Sequence, residues 1–271
     1  MENKNIELQN SVIEKAEGVR QALVVGKDVV IKGVDTERIL ASKLSPLYDN
    51  EQLSENQLAQ IALGFGYGLT ENQIAVYAKP EFNPKQMVAI GLGFKYGLNM
   101  EHVAMYAKPE FNDLQMACIR KGLLQGLTIE QVLVYAKPEF NYEQMLKISK
   151  GFEHGFTIEQ VLVYAKPEFH KSQMHRIYIG FKHGLTVEQV LVYAKPEFLV
   201  SQMDMIKAGF EHGFTIEQVS VYAKPEFKAS QMGVIYSGFK HGLTVGQVST
   251  YSKPEYTYRQ MVEIRDNLLK R

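Results

Sequence analysis

The string Tyr-Ala-Lys-Pro-Glu-Phe begins at Tyr77, Tyr106, Tyr135, Tyr164, Tyr193 and Tyr222, and the variant Tyr-Ser-Lys-Pro-Glu-Tyr begins at Tyr251, with every step 29 residues long. A period of this length means that one supersecondary unit recurs and buries its apolar face against its neighbours, so the chain grows without enlarging a central core. The intervening residues are varied and helix-patterned, which separates this array from low complexity. The expected fold is all-α: an α-solenoid of tandem 29-residue two-helix repeats with N-terminal and C-terminal caps.

Each unit carries two helix starts and two stops. In the segment from Thr128 to Ala136, Thr128 is placed to cap the first free amides and Gln131 sits three residues later in the capping-box position. Leu127 and Val132 have the spacing of a hydrophobic staple. Pro138 disfavours helical geometry at Lys137, so the first helix must stop before it. Phe140, Asn141, Gln144 and Met145 then repeat the staple, cap and box, and the Gln-Met pair recurs in seven units. The second helix is predicted from about residue 142 to residue 154, where Gly155 supplies the left-handed residue that ends many helices. A further glycine falls inside this helix, at Gly180 for example, at a cost of roughly 1 kcal/mol relative to alanine. Close approach of a neighbouring helix is the expected reason.

The array divides into an N-terminal helical cap over residues 1–34, a degenerate repeat over 35–69, and seven tandem repeats over 70–271, the last truncated, all in one continuous solenoid. Blocks alternate in the middle: Gly-Phe-Glu-His-Gly-Phe-Thr-Ile-Glu-Gln at 151 and 209 against Gly-Phe-Lys-His-Gly-Leu-Thr-Val at 180 and 238. That order puts Glu153, Lys182, Glu211 and Lys240 at one site in successive units and predicts a ladder of ion pairs. A second ladder is predicted between the lysine and glutamate of each Lys-Pro-Glu turn, in preference to a phosphate track along the lysines.

Comparison among repeats within the chain separates scaffold from surface. Gln144, Met145, Ile148, Gly151 and Phe152 belong to a near-constant set spaced three or four apart, one buried face. The other face changes from unit to unit and mixes tyrosine, aliphatic and charged residues as protein interfaces do. Free drift of a solvated face would favour Glu and Lys over tyrosine. The partner-binding candidates are therefore Tyr142, Lys171, His175, Tyr178, Val200, Asp204, Lys207, Tyr236 and Tyr258, with a protein as the expected partner. The alternative is a nucleic acid held through Arg120, Lys121, Lys147, Lys150, Lys171, Arg176, Lys207 and Arg265. Thirty basic and thirty acidic residues cancel, so any phosphate-attracting field must be local.

Chemistry has little support. His154, His183, His212 and His241 occupy one site in successive units, too far apart to share an ion, and interaction with helix ends explains them better. Cys118 reads as a small packed residue. No glycine-rich phosphate loop or nucleophile triad stands out, so no enzyme, cofactor, metal or small-molecule substrate is expected. No run approaches the ~18 apolar residues of a membrane span. The single cysteine and the polar opening Met-Glu-Asn-Lys-Asn point to the cytoplasm.

The segment Leu185–Ala194, LTVEQVLVYA, resembles the opening of transcription activator-like effector repeats, two-helix units that track DNA. Val187 stands where that family has proline, and the inter-helix turn, which carries the base-reading residues there, is a constant Lys-Pro-Glu-Phe here. The chain as a whole resembles bacterial α-solenoid proteins with uncharacterised YAKPEF-type repeats, found in gut bacteria and their mobile elements. That resemblance adds a third reading, an inhibitor or decoy of a host defence enzyme.

Overall fold

Among the described residues the capping, turn and glycine signals of the sequence set the helix ends, and the Tyr-Ala-Lys-Pro-Glu-Phe strings at Tyr77, Tyr106, Tyr164, Tyr193 and Tyr222 each become two successive tight turns. The computed structural model describes residues 53–270, so the N-terminal cap over 1–34 and the helix expected within 35–44 lie outside the described residues. Among the described residues there are fifteen helices and no strand. Eight have twelve residues: α1 (Glu55–Gly66), α3 (Pro84–Lys95), α5 (Asp113–Leu124), α7 (Tyr142–Glu153), α9 (Lys171–Lys182), α11 (Val200–Glu211), α13 (Ala229–Lys240) and α15 (Tyr258–Leu269). The short ones between them are α2 (Glu71–Ala75), α4 (Met100–Ala104), α6 (Ile129–Tyr135), α8 (Ile158–Leu162), α10 (Val187–Tyr193), α12 (Ile216–Ser220) and α14 (Val245–Ser249).

Two compact units are present. The first runs through Val132 and includes Ala136–Pro138; the second holds Leu133–Tyr135 and the chain from Glu139 onward. In the first, α3 packs between α1 and α5, with α2 and α4 against them. In the second, α7, α9, α11, α13 and α15 pack each on the next, and α8, α10, α12 and α14 lie against this row as a second layer.

The turn chemistry follows from proline. The Lys166 N–H donates to Tyr164 O over 2.8 Å, and Phe169 N–H donates to Lys166 O over 3.1 Å. The first bond closes an inverse γ-turn around Ala165, and the equivalent Ala194 has the matching φ of −75° and ψ of 64°. The second closes a β-turn with Pro167 at its second position, where the fixed proline φ is already correct. The chain thus reverses in six residues, placing Tyr164 and Phe169 in the core at 0% and 1% exposure. At the far end of α7, Gly155 takes φ 79°, while Phe156 N–H reaches back to Gly151 O and Gly155 N–H to Phe152 O. This is the Schellman pattern, with apolar Phe156 in the position that packs back on the helix.

The constant glutamine has a second task that the capping box does not reveal. Gln144 Oε1 accepts from the Asn141 N–H, and its Nε2 donates to Pro167 O at 2.9 Å and Phe169 O at 2.8 Å in the following repeat. Gln57, Gln86, Gln173, Gln202 and Gln231 make the same pair of bonds to carbonyls 23 and 25 residues ahead. All are buried, so a lost partner would leave carbonyls dry and unsatisfied. At Leu199 and Lys228 no side chain caps the helix, yet Gln202 and Gln231 still accept the N-cap N–H. The cap residue varies and the glutamine does not. Gln144→Glu keeps the oxygen of the box but turns a carboxylate toward two carbonyls. It is expected to cost about 3 kcal/mol in urea unfolding, and a variant as stable as the parent would show that the inter-repeat bonds contribute nothing.

The glycines inside the long helices are closely approached by the short helix that follows, as the sequence suggested: a Cβ at Gly151 would stand 3.1 Å from Val161 on α8. A Cβ at Gly180 would overlap the hydroxyl of Tyr193, and Gly64, Gly93, Gly151, Gly209 and Gly238 stand in the same relation to Tyr77, Tyr106, Tyr164, Tyr222 and Tyr251. Each tyrosine fills the space left open by the glycine of the preceding repeat, thirteen residues upstream.

Candidate interaction surface

The long helices of the second unit carry the changing residues, and most of these are shielded on one side by the neighbouring helix. Tyr142, Lys171, His175, Val200, Asp204, Lys207 and Tyr236 are half-buried, Tyr258 is exposed and Tyr178 is buried. Tyr178 therefore belongs to the packing rather than to a free recognition edge. Its ring lies 5.4 Å from His154 in an edge-on contact, 5.4 Å from Phe156, and 5.9 Å from His175 in a stacked one. Burial pushes the Tyr178 hydroxyl above the ordinary phenol range, with Glu153 adding to the shift.

Two repeats onward the arrangement returns. Tyr236 packs 5.8 Å from His212 and 5.2 Å from Phe214, and Phe214 meets Phe239 at 5.8 Å as Phe156 meets Phe181. The alternating blocks of the sequence thus have a physical meaning: every second repeat offers Phe after the helix-ending glycine, and the following long helix supplies a tyrosine to pack on it.

Charges on this face are largely spent on one another. Lys171 on α9 pairs with Glu143 on α7, and Arg176 Nε sits 2.8 Å from Asp204 Oδ1 across α9 and α11. Lys207 Nζ reaches Glu211 at 2.7 Å, and His183 Nδ1 meets the same carboxylate at 2.5 Å. Glu211 is thus taken by Lys207 and His183, not by the Lys182 and Lys240 that the ladder required. Its pKa is nevertheless lowered: burial alone would raise it, but the hydrogen bonds and charges of Lys207 and His183 outweigh that. The lysines and glutamates of the Lys-Pro-Glu turns form no ion pair with one another among the described residues, because the β-turn directs them into solvent.

Of the phosphate-binding candidates, Arg120 Nη1 donates to Ala89 O at 2.9 Å, linking α5 to α3, and Arg265 pairs with its neighbour Asp266 at 2.6 Å. Lys171, Arg176 and Lys207 are paired as described. Lys121 is exposed on α5. Lys147 and Lys150 keep a local positive field, registered by His175: burial lowers its pKa first, and Lys147, Arg176 and Lys150 lower it further while Asp204 opposes them. This cationic spot spans two helices and does not run along the row.

The four recurring histidines follow the last residue of long helices as C-caps. His154 Nδ1 lies 2.8 Å from Lys150 O and His241 Nδ1 lies 2.7 Å from Ser237 O, so in the tautomer with hydrogen on Nδ1 the ring adds a second donor to a last-turn carbonyl that already accepts the histidine's own backbone N–H. Among the described residues no three metal-ligating side chains converge, and no helix is long and apolar enough to cross a membrane. Cys118 is buried in α5. A shallow depression of about 280 Å³ beside the Gln144 joint is lined by Glu143, His170 and Lys171 among others. No protein-family model, curated protein or solved structure matches this chain.

Proposed function

We propose that this chain is a non-enzymatic α-solenoid that binds a partner protein along the changing face of its long helices. The observation that carries this reading is the contrast on one helix between residues that cannot vary and residues that do. Met145 and Ile148 are fully buried and Gln144 bridges to the next repeat, while Tyr142, Leu146 and Lys147 beside them are half-exposed and stand at positions that change along the array. Half-exposed tyrosine and aliphatic residues on a rigid row offer apolar area at low entropic cost, the composition of interface hot spots. Pairing of Lys171, Arg176 and Lys207 with acids favours this over phosphate tracking, which needs a continuous file of available cations.

Tyr178 is excluded from the test because its removal would open a cavity between His154 and Phe156. The variant Tyr142→Ala with Tyr258→Ala is expected to lose at least ~10-fold in affinity for any protein that co-purifies with the parent from native cells, with the helical circular dichroism unchanged. A protein retained equally by parent and variant would move the site elsewhere. In parallel, fluorescently tagged duplex DNA and single-stranded RNA are expected to bind no tighter than ~10 µM near physiological salt. Submicromolar binding that falls steeply between about 50 and 200 mM salt would establish the nucleic-acid reading instead.

A further inference from the structure

The short helices of the second unit carry an apolar feature that neither the core nor the proposed binding face uses. Leu133, Leu162 and Leu191 recur at one site in three successive repeats and are 53%, 47% and 46% exposed. The buried side of α8 is supplied by Val161, followed by Tyr164, both fully covered, so Leu162 is not needed to hold the helix down. Other repeats confirm that the fold does not require leucine there. Ala75, Ala104, Ser220 and Ser249 occupy the same site, are exposed, and end helices that start from the same threonine or asparagine cap. Half-buried Ile158 and Val187, one turn earlier on α8 and α10, widen the leucine file.

Unpaired charges of opposite sign flank this file. Glu159 and Glu188 lie three residues before Leu162 and Leu191, at the starts of α8 and α10, and Lys166 and Lys195 lie four residues after them. None of the four is in an ion pair among the described residues. Glu168 and Glu197 follow further along the turn and soften the positive end without cancelling its position. An arrangement that is negative on one side of an apolar file and positive on the other is complementary to itself under a two-fold rotation.

We propose that this file is the seat of a second copy of the chain, with short helices antiparallel, leucine against leucine, and Glu159 of each copy facing Lys166 of the other. A partner of uniform charge would meet as much repulsion as attraction here, which is why a second copy is the occupant. Three half-exposed leucines with their flanks fall short of the ~800 Å² per partner of a standard interface, so association is weak, with a Kd of roughly 10–100 µM. The surface is separate from the face of the long helices, so either can fail without the other.

Sedimentation velocity on the full chain from about 5 to 500 µM tests the proposal. The parent is expected to shift from monomer toward dimer across this range. The variant L133S/L162S/L191S is expected to stay monomeric, and because serine occupies this site at Ser220, its circular dichroism should match the parent. The charge variants E159K/E188K and K166E/K195E should each lose association, and an equimolar mixture of the two should regain it through complementary heterodimers. A parent that stays monomeric to the highest concentration overturns the proposal, as does a serine variant that dimerises like the parent. Charge variants that dimerise as well alone as mixed would overturn the antiparallel register.

Discussion

Gly180→Ala lowers the stability of the fold by about 2 kcal/mol even though alanine is the better helix former by roughly 1 kcal/mol. The new Cβ would collide with the hydroxyl of Tyr193 and stand 3.2 Å from its ring carbon Cζ. Tyr193 cannot swing away, because its ring is fully buried and fixed between the γ-turn that follows it and the core. Gly180→Leu should cost more than alanine, about 4 kcal/mol or above. The colliding oxygen can be removed on its own. The hydroxyl of Tyr193 has no hydrogen-bond partner in the protein, so Tyr193→Phe alone should change stability by less than about 1 kcal/mol. Combined with Gly180→Ala it should recover part of the loss, and the recovery is only partial because the ring carbon remains. Urea unfolding of the four proteins completes a double-mutant cycle, and additive effects would show that the glycine does not exist to seat the tyrosine.

Raising the pH above 10 should unfold the second unit within a narrow range. Burial holds the hydroxyls of Tyr164, Tyr193 and Tyr222 far above the ordinary phenol value of 10, and burial pushes Tyr251 up to about 12 although Arg265 works against it. Below pH 10 all four are neutral in both states and nothing is lost. Above it the unfolded chain releases protons that the folded one retains, so stability falls by about 1.4 kcal/mol per pH unit for each tyrosine. For the four together this is about 5–6 kcal/mol per pH unit until Tyr251 begins to ionise in place, enough to exhaust an ordinary domain stability of ~5–15 kcal/mol by about pH 12. Tyrosinate absorbance and helical circular dichroism should therefore change together. Ionisation of all tyrosines while the helices persist would contradict the linkage, and replacing Tyr164, Tyr193 and Tyr222 with phenylalanine should move the transition to higher pH.

The helices were legible because their signals are local. Thr157 with Gln160, Asn141 with Gln144, Pro167 and Gly155 each act within about one helical turn, and the bonds they predict are present at α8, α7 and the turns between helices. The buried face of α7 was equally readable, since Met145, Ile148 and Phe152 follow the helical period. Errors arose where residues of different repeats meet. The equal spacing of Glu153, Lys182, Glu211 and Lys240 suggested a ladder, but the carboxylate of Glu211 goes to the cations that its rotamer reaches first, Lys207 one turn back and His183 across the row. The constant glutamine announced a cap, whereas its amide hydrogens reach 23 and 25 residues ahead.

The candidate surface shows the same division. Internal comparison identified the changing positions, yet it could not distinguish half-buried Tyr142 and exposed Tyr258 from Tyr178, which occupies an equivalent helix face but is covered by His154 and Phe156. By itself the sequence determined where each helix begins and ends and which side of it is buried, because capping, turn geometry and apolar periodicity depend on near neighbours along the chain. Only the tertiary structure decided which tyrosine fills which glycine's space, which charges are consumed, and which leucines remain in solvent, because those outcomes depend on distances between repeats that no local pattern encodes.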